Sequence, residues 1–308
     1  MSGHDEAVAW RLSQRLRSSV NPDGGWGYST GSTSRLEPTC WAALALLDGG
    51  FATDDPARAE AALSLIGRWQ RPDGLLSEIP SAPPNLAFNG LAAAVVHRAL
   101  ATGRADAQRH HRLADGIVSG ILAVEGVRLD QGENQRQDNQ LVGWPWTDGM
   151  FSWVEPTSWC LLAAKKVAPR AARVSPASRI AEAERVLTDR CCLSGGWNYG
   201  NSNMLGKELY AYVPNTAVAL LALQDRGAQP QVVLSRTWLD GNWRREESAF
   251  ALSLALIAMT VHRRTTEDVE AAIRAHLAGE GTPANMATCG LTLFALTGSH
   301  HEYGALRL

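Results

Sequence analysis

The 308-residue sequence has almost no excess of charge, because 29 lysines and arginines are balanced by 31 aspartates and glutamates. Binding driven by phosphate neutralisation needs a basic excess, so nucleic acid is not expected as a partner. Long hydrophobic runs are also missing, since the longest apolar stretch, residues 249–261, is too short to cross a bilayer. The first residues lack the basic and apolar segments of a secretory signal peptide, and we therefore expect a cytoplasmic protein.

Cysteines are few, and their spacing fits neither a disulfide framework nor a paired zinc-binding motif. Their number is odd, and the only close pair is directly adjacent: Cys40, Cys160, Cys191, Cys192 and Cys289. Phosphate-binding loops, dinucleotide-binding motifs and the HExxH zinc motif are absent from the sequence. We therefore expect neither a cofactor nor a metal.

Tyrosine and phenylalanine are scarce, with five of each, but the chain contains 11 tryptophans. Several of these tryptophans belong to a repeated glycine-rich turn, which reads NPDGGWGY at 21–28 and SGGWNYG at 194–200. Weaker copies begin at Asp73, Asp148 and Asp240. Repetition of this kind is typical of proteins built from stacked supersecondary units.

A second repeated segment follows the turns and starts a helix. It reads LEPTCWAAL at 36–44, VEPTSWCLL at 154–162 and VPNTAVALL at 213–221. Because each copy is preceded by a charged, amphipathic stretch, the repeating unit is a helix, a glycine-aromatic turn and a more apolar helix.

Six pairs of helices are predicted on this pattern. The first helix of each pair is amphipathic, and these are predicted at 5–19, 55–70, 107–124, 176–192, 230–239 and 266–278. The second is apolar on almost every side, which is typical of a buried helix, and these are predicted at 38–48, 85–101, 156–168, 215–225, 247–261 and 285–297. We expect residues 1–308 to form a single all-α domain, an (α/α)6 toroid of six inner and six outer helices. A long loop at 126–146 is expected over one end of the ring.

The turns and helix starts resemble the repeats of the squalene-hopene cyclase and protein prenyltransferase superfamily. The resemblance rests on NPDGGWGY at 21–28, EPTCWA at 37–42 and WQRPDG at 69–74, and it extends over nearly the whole chain. Squalene-hopene cyclases have two helical domains, and this chain resembles the one built as a closed double ring. The resemblance implies a terpene cyclase-like isomerase or lyase, or a prenyl-transfer enzyme. Its substrate would be an isoprenoid or another hydrophobic molecule in the central cavity.

The acid motif of the cyclases is missing from the segment that matches it best. In that family the motif reads Asp-x-Asp-Asp-Thr-Ala, and here its three acidic positions are occupied by Tyr212, Pro214 and Asn215. In the two sister repeats the same register places Glu37 and Glu155 at the central acid. A standard cyclase started by an Asp-rich motif is therefore not expected.

Glu37 and Glu155 are the predicted catalytic residues. A carboxyl group beside an apolar cavity has a raised pKa and can transfer protons near neutral pH. Glu155 has no basic neighbour in sequence and is the predicted proton donor. Arg35 lies close to Glu37 in sequence, and an ion pair between them would hold this glutamate ionised, so Glu37 is the predicted base or structural partner. The structural alternative is that each Glu, beside a proline, only stabilises the positive end of its helix.

Aromatic and amide side chains near the inner-helix starts are the predicted substrate-binding residues: Trp41, Trp153, Trp159, Tyr212, Phe250, Asn85 and Asn215. Aromatic faces also stabilise a developing carbocation. Six helix N-termini at one end of a ring favour an anion, and the predicted anion-binding residues are Arg35, Arg244 and Arg245. A prenyl diphosphate is one candidate ligand. The aromatic residues of the turns, Trp26, Tyr28, Trp197 and Tyr199, are predicted to be structural.

Two other interpretations follow from the same residues. Prenyltransferases bind zinc through Asp, Cys and His, but the only Asp-x-Cys, at Asp189 and Cys191, ends an outer helix, and His300 and His301 lie near the C-terminus. The other interpretation is a non-catalytic toroid that holds a lipid, peptide or protein partner in its centre. Peripheral membrane contact is compatible with both the enzyme and the scaffold.

Overall fold

The computed structural model describes residues 3–49, 55–103, 106–132, 136–167, 175–298 and 303–308. In this part of the chain, charged outer helices alternate with apolar inner helices. The outer helices are α1 (Gly3–Ser18), α3 (Asp55–Arg68), α5 (Ala107–Ala123), α7 (Pro176–Asp189), α9 (Pro230–Asn242) and α11 (Glu267–Glu280). The inner helices are α2 (Leu36–Gly49), α4 (Leu86–Ala101), α6 (Val154–Lys166), α8 (Val213–Ala222), α10 (Ala249–Val261) and α12 (Met286–Thr297).

The six inner helices form a ring in chain order, and the last of them, α12, packs against the first, α2. The outer helices lie around this ring, and the first of them, α1, packs on the last inner helix, α12. Strands β1 (Asn203–Met204) and β2 (Lys207–Glu208) form the only sheet among the described residues. The predicted all-α (α/α)6 toroid is therefore confirmed. None of the described helices is both long and apolar enough to cross a membrane.

The glycine-tryptophan turn makes the same hydrogen bonds in three repeats. The N–H of Trp26 donates to Oγ1 of Thr39 at 3.0 Å, and this hydroxyl is 3.2 Å from the Trp26 carbonyl, to which it donates. The Trp26 indole N–H donates to the carbonyl of Leu16 in the last turn of α1. The equivalent groups are Trp144 with Thr157 and Ile121, and Trp197 with Thr216 and Leu187. Each turn thus joins the end of an outer helix to the start of an inner one.

The turn between α5 and α6 lies at a different position from the one that the sequence predicts. We expected the weak copy at Asp148 to be the turn and residues 126–146 to be loop, but the hydrogen bonds of the repeat are made by Trp144. The described residues between α5 and α6 contain neither helix nor strand, as expected for a loop. The motif is less obvious here because one glycine, Gly143, precedes the tryptophan instead of two.

The turns also connect neighbouring units of the ring. The Tyr28 carbonyl accepts a hydrogen bond from the N–H of Met286, the first residue of α12, at 2.8 Å. Tyr199 does the same for Val154 at the start of α6, at 3.0 Å. The first N–H groups of a helix have no partner within the helix, so each of these contacts satisfies a donor that would otherwise be orphaned.

Two inner-helix glycines allow the closest helix contacts. A Cβ atom on Gly90 of α4 would lie 2.6 Å from the carbonyl carbon of Trp159 in α6, and one on Gly290 of α12 would lie 2.7 Å from that of Trp41 in α2. Both obstacles are backbone atoms, which cannot rotate away. Larger residues at these positions would push the inner helices apart.

Replacing Thr157 by Val tests the turn. The variant keeps the shape of the side chain but leaves the buried N–H of Trp144 without its acceptor, so we expect a loss of about 1–3 kcal/mol in the free energy of unfolding. Urea denaturation measures this change. Thr33→Val, at an exposed position, is the control, and equal stabilities of the two variants would contradict the role of the turn.

Gly90→Ala tests the helix contact, with Gly279→Ala as its matched control. We expect Gly90→Ala to lose about 1–3 kcal/mol because the added methyl overpacks the α4–α6 contact. Gly279 lies in α11 with open space around it, so alanine should stabilise that helix by up to about 1 kcal/mol. Denaturation midpoints that move in the same direction would be inconsistent with this packing.

Candidate functional site

A cavity of about 340 Å³ opens beside the first turns of α6, α8 and α10. We call it the acid cavity because two carboxyl groups lie in its wall. The lining residues that matter for chemistry are Glu155, Glu246, Tyr199, Tyr212, Asn215 and Phe250. It lies at the end of the ring where the inner helices start.

Glu155 lies in the first turn of α6, directly before Pro156. Burial raises the pKa of its carboxyl group to about 7, and the nearby negative charge of Glu37 contributes in the same direction. Among the described residues, none donates a hydrogen bond to this carboxyl. Glu155 is therefore a carboxylic acid that exchanges its proton near neutral pH.

Glu37 has the equivalent position in α2 but a different environment. The hydroxyl of Tyr28 donates to Oε2 of Glu37 at 2.7 Å, and the Trp41 side chain also hydrogen-bonds to this carboxyl. Burial raises the pKa of Glu37, whereas the two hydrogen bonds stabilise the ionised form and oppose the shift. The two related glutamates thus differ in acidity because only one of them has hydrogen-bond donors.

Arg35 does not form the expected ion pair with Glu37. Its Nε atom donates to Oε1 of Glu78 at 3.0 Å, in an ion pair that is partly exposed. Glu78 comes from the turn that follows α3, which the sequence does not place near Arg35. The donors that stabilise ionised Glu37 are Tyr28 and Trp41 instead.

Trp41 and Trp159 lie one helical turn deeper than the glutamates, because each is four residues after Glu37 or Glu155 on the same helix face. Their rings contact edge to face, with centroids 5.8 Å apart, and Trp41 also contacts Phe294. Both indoles are buried, and neither is among the residues that line the acid cavity. We expected them to line the cavity, but the structure places them in the packed centre of the ring, beneath the carboxyl groups.

The other predicted substrate-binding residues lie at the acid cavity, at a neighbouring cavity and at the N-cap of α4. Tyr212, Phe250 and Asn215 line the acid cavity, and Nδ2 of Asn215 is buried without a hydrogen-bond partner. Trp153 stacks on Phe151, with centroids 4.9 Å apart, and lines a neighbouring cavity. Asn85 is the N-cap of α4, where its side chain accepts from the N–H of Phe88.

None of the three predicted anion-binding arginines lines the acid cavity. Arg244 donates to Asp268 at 2.8 Å and lies over the ring of Trp243, while Arg245 is exposed. Arg35 forms its ion pair with Glu78. The described lining of the acid cavity therefore contains carboxyl groups and no arginine. Arg244 is instead held by an acidic partner on the next outer helix.

Three residues of the site were not predicted from the sequence. Tyr28 and Tyr199 were interpreted as structural, yet one donates to Glu37 and the other lines the acid cavity. Each tyrosine lies two residues after the tryptophan of its turn and ahead of the next inner helix. This spacing is visible in the sequence. Glu246 lines the acid cavity as well, and burial raises its pKa.

Of the residues considered for zinc, Asp189 ends α7 and Cys191 follows it two residues later. Cys40 and Cys160 are buried in α2 and α6, where burial raises the pKa of both thiols. Asp189 forms an ion pair with Arg190. No metal-binding group of His, Cys, Asp and Glu is found within the described ranges. His300 and His301 lie outside the described residues.

The sequence matches no protein-family model and no curated protein. Its structure is similar to an inactive variant of an α-1,6-mannanase of Salegentibacter sp. HEL1_6 in complex with α-1,6-mannotriose. The TM-score is 0.65 at 9% identity, over 98% of this chain and 99% of that one. It is also similar to a variant of the type II terpene cyclase MstE from Scytonema in complex with geranylgeranyl dihydroxybenzoate. The TM-score is then 0.61 at 13% identity, over 97% and 98% of the two chains.

A protein from Actinoplanes has the same fold, with a TM-score of 0.58 at 16% identity over 95% of this chain and 98% of that one. At these identities the likeness establishes a shared α/α toroid and no activity. The resemblance noted in the sequence is thus supported at the level of fold, which a terpene cyclase and a mannanase share.

The difference between the two glutamates can be measured without a substrate. Infrared difference spectra over a pH titration should show a protonated carboxyl that ionises at about pH 7. In Glu37→Gln this ionisation should move to lower pH, because the negative charge that favours protonation of Glu155 is removed. Glu155→Gln should abolish it. An unchanged titration in Glu155→Gln would show that another group is responsible.

Proposed function

We propose that the protein is an acid–base enzyme that acts on a hydrophobic, isoprenoid-type substrate in the acid cavity, with Glu155 as the proton donor. The observation that carries this proposal is a carboxyl group with a pKa of about 7 in the wall of an aromatic-lined cavity. A general acid is most effective when its pKa is close to the working pH.

Glu155 and Glu37 supply complementary roles. Glu155 lacks hydrogen-bond donors and holds its proton, whereas Tyr28 and Trp41 stabilise ionised Glu37. Pairs of carboxyl groups whose environments separate their pKa values are typical of enzymes that need both an acid and a base. Proton transfer from Glu155 to a carbon–carbon double bond would leave a carbocation. Return of a proton from an adjacent carbon to the Glu155 carboxylate would then complete an isomerisation or a cyclisation without a co-reactant and restore the acid. Ionised Glu37, which is not a lining residue of this cavity, would keep the pKa of Glu155 raised.

The walls of the acid cavity support a hydrophobic substrate with a cationic intermediate. Tyr199, Tyr212 and Phe250 present aromatic side chains, and ring faces attract positive charge. Tyr212, Pro214 and Asn215, which occupy the acidic positions of the cyclase motif, line the same cavity as Glu155. In this proposal the acid comes from the neighbouring helix α6 instead of α8. MstE, a toroid in complex with a prenylated compound, is consistent with this substrate class.

A non-catalytic role is the second candidate function. The observation that favours it is the packed centre of the ring, because Trp41, Trp159 and Phe294 occupy the space where a long chain would otherwise enter. A toroid with a shallow cavity would hold a lipid, peptide or protein at its rim without converting it.

Turnover of defined compounds tests the enzyme. We expect the wild type to convert at least one of farnesol, geranylgeraniol and farnesyl diphosphate, with products identified by mass spectrometry. Glu155→Gln should lower kcat/KM by about 10²-fold or more, as for loss of a general acid. The wild-type kcat/KM should fall as the pH rises through about 7, because the donor loses its proton.

Glu247→Gln is the matched control, because Glu247 is exposed and next to Glu246 but is not a lining residue. Full activity in Glu155→Gln would exclude this residue as the acid. Binding of a prenyl compound without turnover would favour the non-catalytic role, and cleavage of α-1,6-mannotriose would replace the isoprenoid proposal with glycoside hydrolysis.

A further inference from the structure

A second cavity lies beside the acid cavity and has different walls. It has a volume of about 360 Å³, and its lining residues lie within 127–129, 137–141 and 151–153 of the long loop, at Arg190, and within 198–212 ahead of α8. We call it the loop cavity. Tyr199 and Tyr212, whose rings contact each other with centroids 5.4 Å apart, line both cavities. Its volume falls in the range of small-molecule sites, about 300–1,000 Å³.

The walls of the loop cavity are mostly apolar and unusually exposed. Its lining includes several of the exposed large apolar side chains of the protein: Val127, Leu129, Phe151, Tyr199, Tyr210 and Tyr212. Exposed apolar side chains that form one contiguous patch are typical of ligand-binding grooves and interaction sites.

Two buried polar atoms in the lining have no hydrogen-bond partner among the described residues: Oε1 of Gln137 and Nε1 of Trp153. Two other polar lining side chains have partners in the protein. Ser152 accepts from the N–H of Gly143, and Asn198 donates to the carbonyl of Asn201. A buried polar atom without a partner costs free energy unless something binds it.

The surrounding hydrogen bonds determine which atom of the Gln137 side-chain amide has no partner. Nδ2 of Asn139 donates to the carbonyl of Asp130 at 2.8 Å, so Oδ1 of Asn139 is the atom available to Gln137. The Gln137 amide nitrogen donates to this oxygen at 3.1 Å. Gln137, which is 8% exposed, is therefore left with an acceptor, and its missing partner is a hydrogen-bond donor.

The charge of the loop cavity favours an uncharged ligand. Among the described lining residues, Arg190 is the only charged one. It is paired with Asp189 and donates to the carbonyl of Asp138 at 3.1 Å. Because this cation already has a carboxylate, no net positive charge remains to bind a phosphate or a carboxylate.

We propose that the loop cavity binds a neutral, mainly apolar ligand group that donates a hydrogen bond to Gln137 and accepts one at Trp153. A hydroxyl group has both capacities. Since the two cavities share Tyr199 and Tyr212, one elongated substrate places this end in the loop cavity and its reacting end beside Glu155. Only this joining of the two cavities rests on the proposed function.

Calorimetric titration with three probes that share an octyl chain tests the ligand class. We expect 1-octanol to bind about 5- to 10-fold more tightly than octyl methyl ether, which has an acceptor but no donor. Octyl phosphate should bind no better than the ether. In Gln137→Leu, the preference for the alcohol over the ether should disappear. Absence of 1-octanol binding, a retained preference in Gln137→Leu or tightest binding of octyl phosphate would overturn the proposal.

A cavity-filling pair of variants locates the probe. Leu209 lines the loop cavity, and Leu209→Trp should weaken 1-octanol binding at least 10-fold. Leu193→Trp, at a 65% exposed position outside the lining, should leave it unchanged. Equal binding by the two variants, or loss of binding in Glu155→Gln, would place the probe elsewhere and overturn the proposal. Failure of the proposed function would be recognised separately, as full turnover in Glu155→Gln with these binding results unchanged.

Discussion

The fold depends on the hydrogen bonds between each glycine-tryptophan turn and the helix starts around it. In the first repeat, the peptide of Trp26 pairs with the hydroxyl of Thr39 in its own unit. Two residues later, the carbonyl of Tyr28 accepts from the first N–H of α12, in the last unit. Helix starts have unsatisfied donors, so a turn that supplies their acceptor holds its own inner helix and a neighbouring one at once. In the first repeat this exchange joins the two ends of the ring.

The same connection determines where chemistry is possible. Because inner helices begin at the turns, their first-turn residues gather at one end of the ring, and Glu37 and Glu155 come close enough for their charges to interact. The residues one turn further, Trp41 and Trp159, meet in the centre and exclude water beneath the carboxyl groups. Burial then raises the pKa of Glu155, whereas the hydroxyl of Tyr28 moderates the same effect on Glu37.

The long loop between α5 and α6 adds a compartment without interrupting the ring. Its last part still forms the Trp144 turn, with the same bonds to Thr157 and to the end of α5 as in the other repeats. The other described residues of the loop do not take part in the repeated hydrogen bonds. Together with the segment ahead of α8, they line the loop cavity. The catalytic and recognition groups of the proposed enzyme are thus separated: the repeats place the carboxyl groups, and the loop places the unpartnered Gln137.

The sequence by itself determined the number, order and kind of the helices, and the register that relates Glu37 to Glu155. These properties depend on periodicity and on repeated turns, which involve residues close together in the chain. Only the tertiary structure decided the partners of each side chain: Arg35 binds Glu78 and not Glu37, and Trp41 packs in the centre instead of lining the acid cavity. Hydrogen-bond partners, burial and therefore pKa values depend on residues that ring closure brings together from distant parts of the chain, and local patterns contain no information about those contacts.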